Sequence, residues 1–418
     1  MDLERESIQS YNFDDIEEIM NYVKAKGVGQ RAKGKRRRAE AGFTLIELMV
    51  TMVIFVFAIA AASQVFTKLL TQFKQQTRIA ETNIEGVVGL NILRQDIEHA
   101  GMGLPWNVTG IADSNGDGVI NFQDNVPGYV EAGVATYNDA PNSAPSAFRS
   151  GDTAVAGGSD YLVIKSAGAA ANNTAGKNTR LASAAPFVRT WGSFTDDMVN
   201  TDMVIVLSPG ATAANSRSLV VVNNSYQTTY NTVSNYAGAD NTDIRLVYGI
   251  SPGNALRAPF NRADYFISFA AAPARCAAGT GTLVKAALNH VDGTLTQMPV
   301  LDCVADMQVV YALDNDENGS FQNGVGGDAY ANTVTGLTPA QVRTRVRDVE
   351  VYILAHEGQR DPNFTFNNFS VAGACGATCV TVGRSAILGR DFNVNAILNG
   401  LNYRWKVYTI SVATENLR

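Results

Sequence analysis

From Phe43 to Thr67 the only charged side chain is Glu47, and the next charge along the chain is Lys68. An apolar run of this length, reaching about Leu70, can cross a bilayer as a helix, since about 20 residues span the hydrocarbon. Its valines and isoleucines do not argue for a strand, because lipid obliges the backbone to satisfy its own hydrogen bonds. Ahead of it stand Arg31, Lys33, Lys35, Arg36, Arg37 and Arg38, a basic cluster of the kind that holds the N-terminal side of a membrane segment in the cytoplasm. The body of the chain is then expected outside. Beyond the run, Ile84, Val87, Leu90, Leu93 and Ile97 recur at spacings of three and four. This predicts that the same helix continues with one apolar stripe, with Arg78, Glu81, Glu85, Arg94, Asp96 and Glu98 on the other faces. Gly101, Gly103 and Pro105 end it.

After Leu104 the helical period gives way to short apolar runs. They predict strands at Tyr161–Lys165, Met203–Leu207, Leu219–Val222, Ile244–Tyr248, Tyr265–Phe269, Met307–Leu313, Val346–Ala355 and Tyr403–Val412. In the last, Tyr403, Trp405 and Val407 alternate with Arg404 and Lys406, as in a strand with one wet face. Stretches rich in Ala, Asn, Ser, Thr and Gly at about 138–159, 166–190, 208–218 and 223–243 lack periodicity and read as long surface loops.

The 418 residues leave room for an anchor helix and one large head or two small domains. Charged residues make up only 17% and the net charge is −6. Without residues 1–42 it is −7, which gives no bulk electrostatic reason to bind nucleic acid. All four cysteines, Cys276, Cys303, Cys375 and Cys379, lie in the part expected to be exported, where disulfides form. Of three pairings, Cys276–Cys303 with Cys375–Cys379 is favoured because each closes locally.

Two acidic stretches carry candidate chemistry. In the first, Asp113, Asn115, Asp117, Asn121 and Asp124 place oxygens at positions 1, 3, 5, 9 and 12 of a twelve-residue loop, with Gly118 at position 6 and the Val119 carbonyl at 7. That is EF-hand spacing with a closing Asp, suited to calcium's six to eight hard oxygens. It is similar to the calcium loop of dockerin modules, without flanking helices. The second, Asp314, Asp316 and Asn318 followed by Gly319, repeats the opening of the pattern; position 12 is Val325, so a closing ligand would come from elsewhere, Asp328 being the candidate. No catalytic constellation emerges. His99, His290 and His356 are widely separated, and no Walker loop is present. Gly249-Ile-Ser251-Pro252-Gly253 fits Gly-x-Ser-x-Gly, but an oxyanion hole needs the N–H that Pro252 lacks, so a turn is expected there.

Gly42-Phe43-Thr44-Leu45-Ile46-Glu47, placed between the basic cluster and the apolar run, resembles the class III signal of type IV pilins and type II secretion pseudopilins. The resemblance implies an α+β pilin fold, a long N-terminal helix packed on a loop-rich antiparallel head. It divides the chain into a leader at 1–42, a helix at 43–101 with its transmembrane part at about 43–70, and a head at 102–418. It further implies cleavage between Gly42 and Phe43 by prepilin peptidase, N-methylation of Phe43, and pairing of Glu47 with a neighbouring subunit's amine. The acidic residues 1–30 exceed the usual leader, and Met20 offers an alternative start. Asn91–Gly103, Val309–Asp316, Val346–His356, Tyr403–Tyr408 and Asn416–Arg418 resemble PilW-type minor pilins, which implies a structural rather than catalytic part in pilus initiation or at the tip. Implied partners are major and minor pilins, the inner membrane and a tip adhesin. A type II secretion minor pseudopilin and a membrane-anchored, calcium-stabilised adhesin are the alternatives.

Overall fold

The computed structural model describes residues 44–417 apart from 110–112, 114, 115, 117, 119–130, 132, 139–143, 194, 210–216, 271, 369–375 and 386. The first element is α1 (Leu45–Glu98), one continuous helix of 54 residues. Its start is a capping box: the Thr44 hydroxyl accepts from the Glu47 N–H at 3.3 Å, and Glu47 Oε2 accepts from the Thr44 N–H at 3.0 Å. The described residues divide into two units, the first ending at Lys68 and the second beginning at Leu69. In the first, the described apolar side chains from Leu45 to Phe66 are exposed, with no protein covering them. Among the described residues this is the one helix long and apolar enough to cross a membrane.

The second unit begins inside α1 and continues through the strands. They are β1 (Asn107–Thr109), β2 (Phe148–Val155), β3 (Ser159–Ser166), β4 (Asn178–Leu181), β5 (Asp202–Ser208) and β6 (Ser218–Val220). Then come β7 (Gln227–Thr229), β8 (Arg245–Pro252), β9 (Asn261–Ser268), β10 (Gly281–Leu288), β11 (Leu295–Leu313) and β12 (Ala329–Ala331). A short helix α2 (Pro339–Arg345) precedes β13 (Val346–Glu357), β14 (Cys379–Gly383), β15 (Gly389–Asn393) and β16 (Arg404–Ala413). The fold is thus α+β, a long N-terminal apolar helix followed by a large antiparallel β region.

The main sheet runs β16-β13-β11-β10-β9-β3-β2, antiparallel throughout, with β12 beside the end of β11. The long β11 is its pivot: Leu295–Val304 pairs with β10, and Val304–Leu313 pairs with β13. The C-terminal part of α1 lies on this sheet. Leu90, Leu93 and Ile97 share a core with Leu162, Ile164, Tyr265, Leu283, Leu301, Met307, Ile353 and Ile410. Gly89 lets the helix approach β11 at backbone distance, since a Cβ there would sit 1.9 Å from the Val300 carbonyl oxygen. The helix ends at Gly101, whose φ of +81° suits a residue without Cβ and whose N–H donates to the Lys165 carbonyl of β3.

The helical stripe differs from the expected one. Ile84 and Val87 are 66% and 68% exposed, and the buried line is Thr82, Gly86, Gly89, Leu90, Leu93, Asp96 and Ile97. Asp96, expected on a wet face, is buried because β9 and β10 supply its partners: Tyr265 Oη donates to Oδ2 at 2.6 Å, and Lys285 Nζ lies 2.5 Å from the same oxygen. Small residues and a paired acid thus take the seam that spacing assigned to larger side chains.

A second sheet runs β1-β6-β5-β8-β4, with β7 beside β5, and only β1 and β6 pair in parallel. It is buried on both faces. Ile205, Leu207 and Ile250 join one core, while Val204, Val206 and Val247 join another with Val233 and Tyr236. The stretch 223–243 is therefore no surface loop: it contributes β7, a 3-10 turn at Tyr230–Tyr236 and part of that core. The expected loops at 138–159 and 166–190 likewise contain β2 and β4. All eight expected strands are present with shifted ends, while β1, β2, β4, β7, β10, β12, β14, β15 and the first half of β11 were not expected. The hairpin β14–β15 and the residues up to Tyr403 cover Trp405 and Leu354. The face of β16 bearing Tyr403 and Trp405 is thus lined with protein, and its even-numbered residues Tyr408, Ile410 and Val412 turn toward α1.

Candidate functional site

The second acidic stretch follows β11, beginning at Asp314. The Asp314 N–H donates to the Arg345 carbonyl at 2.8 Å, so the turn is tied to the strand entering from α2. Asp314, Asp316 and Asp328 each bring a carboxylate oxygen within 4.8 Å of the others, so Asp328 does close the group from further along the chain. Asp314 and Asp328 are buried and Asp316 is exposed. Backbone donors shape the turn: the Asn318 and Gly319 N–H groups donate to Asp314, and those of Asn315 and Gln322 to Asp328 at 2.8 Å. Asn318 is otherwise engaged. Its Nδ2 donates to Asp316 Oδ2 at 2.9 Å and its Oδ1 accepts from the Ser320 N–H at 2.8 Å.

Spacing alone did not reveal the cations of this turn. Arg347 of β13 donates from Nε and Nη2 to Asp314 Oδ2, and Arg345 Nε donates to Glu317 at 2.9 Å. Burial would raise the Asp314 carboxyl, but the Arg347 guanidinium and the Gly319 N–H outweigh it and hold it at about 2. One guanidinium against three carboxylates leaves net negative charge on hard oxygens, a donor set suited to calcium.

In the first acidic loop, Asp113 accepts from the Gly116 N–H at 2.6 Å and from the Gly118 N–H at 2.7 Å, so its carboxylate is folded over the turn. Asn115, Asp117, Val119, Asn121 and Asp124 lie outside the described residues, as do Gly42 and Phe43 of the expected processing site. Glu47 is described, and it caps its own helix through Thr44.

Cys276 and Cys303 form a disulfide. Cys379 is also disulfide-bonded, and Cys375 lies outside the described residues. His356 is buried beside Cys276 and Cys303, and its Nε2 accepts from the Ala277 N–H at 2.9 Å. His290 Nδ1 accepts from the Arg257 N–H at 3.1 Å, and Nε2 faces Asn261 Oδ1 at 3.0 Å. Both imidazoles are therefore tied into the scaffold. Burial, helped by Arg275 and Arg257 respectively, pushes His356 and His290 down to about 4. Ser251 lies within β8 rather than in the expected turn, opposite Met203, where the ladder shifts register.

The geometry defines a protein with an uncovered apolar helix leading into a β-rich head. Residues 37–63 match the family model described as the prokaryotic N-terminal methylation motif. The chain thus carries a prokaryotic N-terminal methylation motif on an α+β frame, and an apolar helix beginning inside that motif fits a membrane anchor. Among solved structures, a type IV-like pilin from Thermus thermophilus is similar at 16% identity over 38% of this chain and 69% of its own, with a TM-score of 0.22. No curated protein matches the sequence.

Proposed function

We propose that the protein is a PilW-like minor pilin that takes part in initiating a type IV pilus or occupies its tip. The observation that carries this reading is the methylation motif at 37–63 leading directly into a helix whose apolar part no protein covers. A head of more than 300 residues suits a position used once or a few times better than one repeated along a fibre. The chain waits in the inner membrane with its N-terminus inside, prepilin peptidase cuts after Gly42, and Phe43 is methylated. Glu47 then meets the Phe43 amine of a neighbouring pilin, a charge-assisted bond that offsets holding a carboxylate in lipid. Major and minor pilins are the partners along the helix, with an adhesin at the tip.

The test is to sequence the protein from sheared filaments and from membranes. Filament-borne chains should begin at methylated Phe43, and filament-borne chains that keep residues 1–42 would sink the reading. Glu47→Gln is the sharper variant, because glutamine keeps the capping box while removing the charge. It should remain in membranes yet fall at least tenfold in filaments; normal filament levels would refute the pairing.

We also propose calcium as a stabilising ligand of the head, held by Asp113, Asn115, Asp117, Val119, Asn121 and Asp124, and separately by Asp314, Asp316 and Asp328. Support comes from the twelve-residue spacing of the first set and the carboxylate cluster of the second.

A further inference from the structure

Immediately past the apolar run, a cavity of about 560 Å³ opens in the second unit between α1 and the segment after β13. Phe73, Lys74, Arg78 and the acid Glu81 line it from the helix, and Arg360 and Pro362 from the facing segment. The two walls are in contact just above it, where a Cβ on Gly358 would lie 3.1 Å from Ile79 Cγ1. Three of these residues are cations. Arg78 pairs with Glu81 at 2.9 Å, whereas among the described residues neither Lys74 nor Arg360 has a carboxylate within ion-pair distance. The nearby acid Asp361 is already engaged by Arg404 Nη2 at 2.9 Å. Phe73 is 69% exposed, a large ring left facing outward beside these charges.

Two cations with no carboxylate partner among the described residues, an exposed aromatic ring and a proline wall form an amphipathic pocket. Its first lining residue, Thr71, follows directly on Leu70, the end of the apolar run. Aromatic rings and basic side chains at this depth are the groups that settle among lipid headgroups. We propose that this pocket binds the phosphate of an anionic phospholipid, with Lys74 and Arg360 as the phosphate partners and Phe73 against the glycerol and upper acyl chains. The inference rests on α1 being the membrane anchor. Charge complementarity and continuity with the apolar run select this occupant over a protein segment. Its consequence is a stored state: the head is held to the outer leaflet through residues of both α1 and the loop after β13. Leaving the membrane for a filament must break that contact.

The test uses the full chain in nanodiscs containing equal phosphatidylglycerol and phosphatidylcholine, read by native mass spectrometry of the lipids retained on the protein. Retained lipid should be enriched in phosphatidylglycerol, by about fivefold for each cation at the surface. The variant Lys74→Gln with Arg360→Gln should return the ratio to that of the disc, whereas Lys68→Gln, a charge on the same helix outside the pocket, should leave most of the enrichment. Equal enrichment in wild type and double variant overturns the proposal, as does an equal loss with Lys68→Gln, which would mean diffuse charge. Inorganic phosphate added in large excess over the lipid should not displace it; full displacement would make the site one for free anions and overturn the lipid assignment. Carbonate extraction of the same chain from membranes reports separately on the anchor, so its failure is distinguishable from failure of the pocket.

Discussion

At the scale of single residues, Gly89 and Asp96 set how α1 meets the sheet. A methyl group at Gly89 would collide with the Val300 carbonyl, whereas one at Gly86 would find its nearest atoms, on Leu301 and Tyr408, at 3.5 Å. Gly89→Ala should therefore destabilise the full chain by about 1–3 kcal/mol, the usual cost of overpacking. Gly86→Ala should be neutral or gain up to about 1 kcal/mol from helix propensity. Denaturant unfolding of both variants in detergent checks the pair, and equal effects would contradict the close approach at Gly89. Neither role could be read from spacing. Residues 96 and 97 differ by only one helical step, and what draws Asp96 inward is Lys285 and Tyr265 on strands far along the chain. Leu90, Leu93 and Ile97 were legible because their size and period agree.

At the scale of elements, the strands that announced themselves were dense apolar runs such as Met307–Leu313. Strand β10, Gly281–Leu288, escaped notice because it carries three alanine or glycine positions and the lysine that meets Asp96. Its burial depends on neighbours on both sides, information no local window holds. The cluster of Asp314, Asp316 and Asp328 was partly legible: the opening acids repeat a known spacing, but Arg347 arrives from β13 and has no local signature. The calcium proposal is tested on these loops. Melting of the full chain should rise in millimolar calcium and return with chelator, as binding at a hundredfold excess over Kd adds about 2.7 kcal/mol. Asp117→Ala should remove the share of the first loop and Asp316→Ala that of the second. An unchanged melting temperature in calcium would leave both loops as turns.

At the scale of the whole molecule, the buried histidines make stability depend on pH. His290 and His356 sit at about 4 in the folded chain against about 6.5 unfolded. Between those values the unfolded chain takes up protons that the folded chain refuses. Their contribution is therefore complete above pH 6.5 and is lost as pH falls toward 4. Asp160 opposes them over much of the same window, since burial pushes it up to about 7 despite N–H donors from Val309 and Thr153. His356→Gln isolates one histidine: near pH 5 its stability should fall less steeply on acidification than the wild type's, by about 1.4 kcal/mol per pH unit. Parallel slopes from urea titrations at several pH values would show that His356 is protonated in the folded state.

Gly89 and Asp96 lie seven residues apart on α1, nearly two turns and about 10 Å of rise. One demands bare backbone opposite Val300 and the other demands Lys285 and Tyr265. Together they act like two teeth of a key, so this part of the helix can neither roll nor slide by a turn without leaving a collision or an orphaned charge. The bearing of the exposed Ile84, Val87 and Val88 is then fixed with respect to the main sheet. Any neighbour that grips those three side chains receives the β-rich head at a set compass heading, with no further contact needed to orient it.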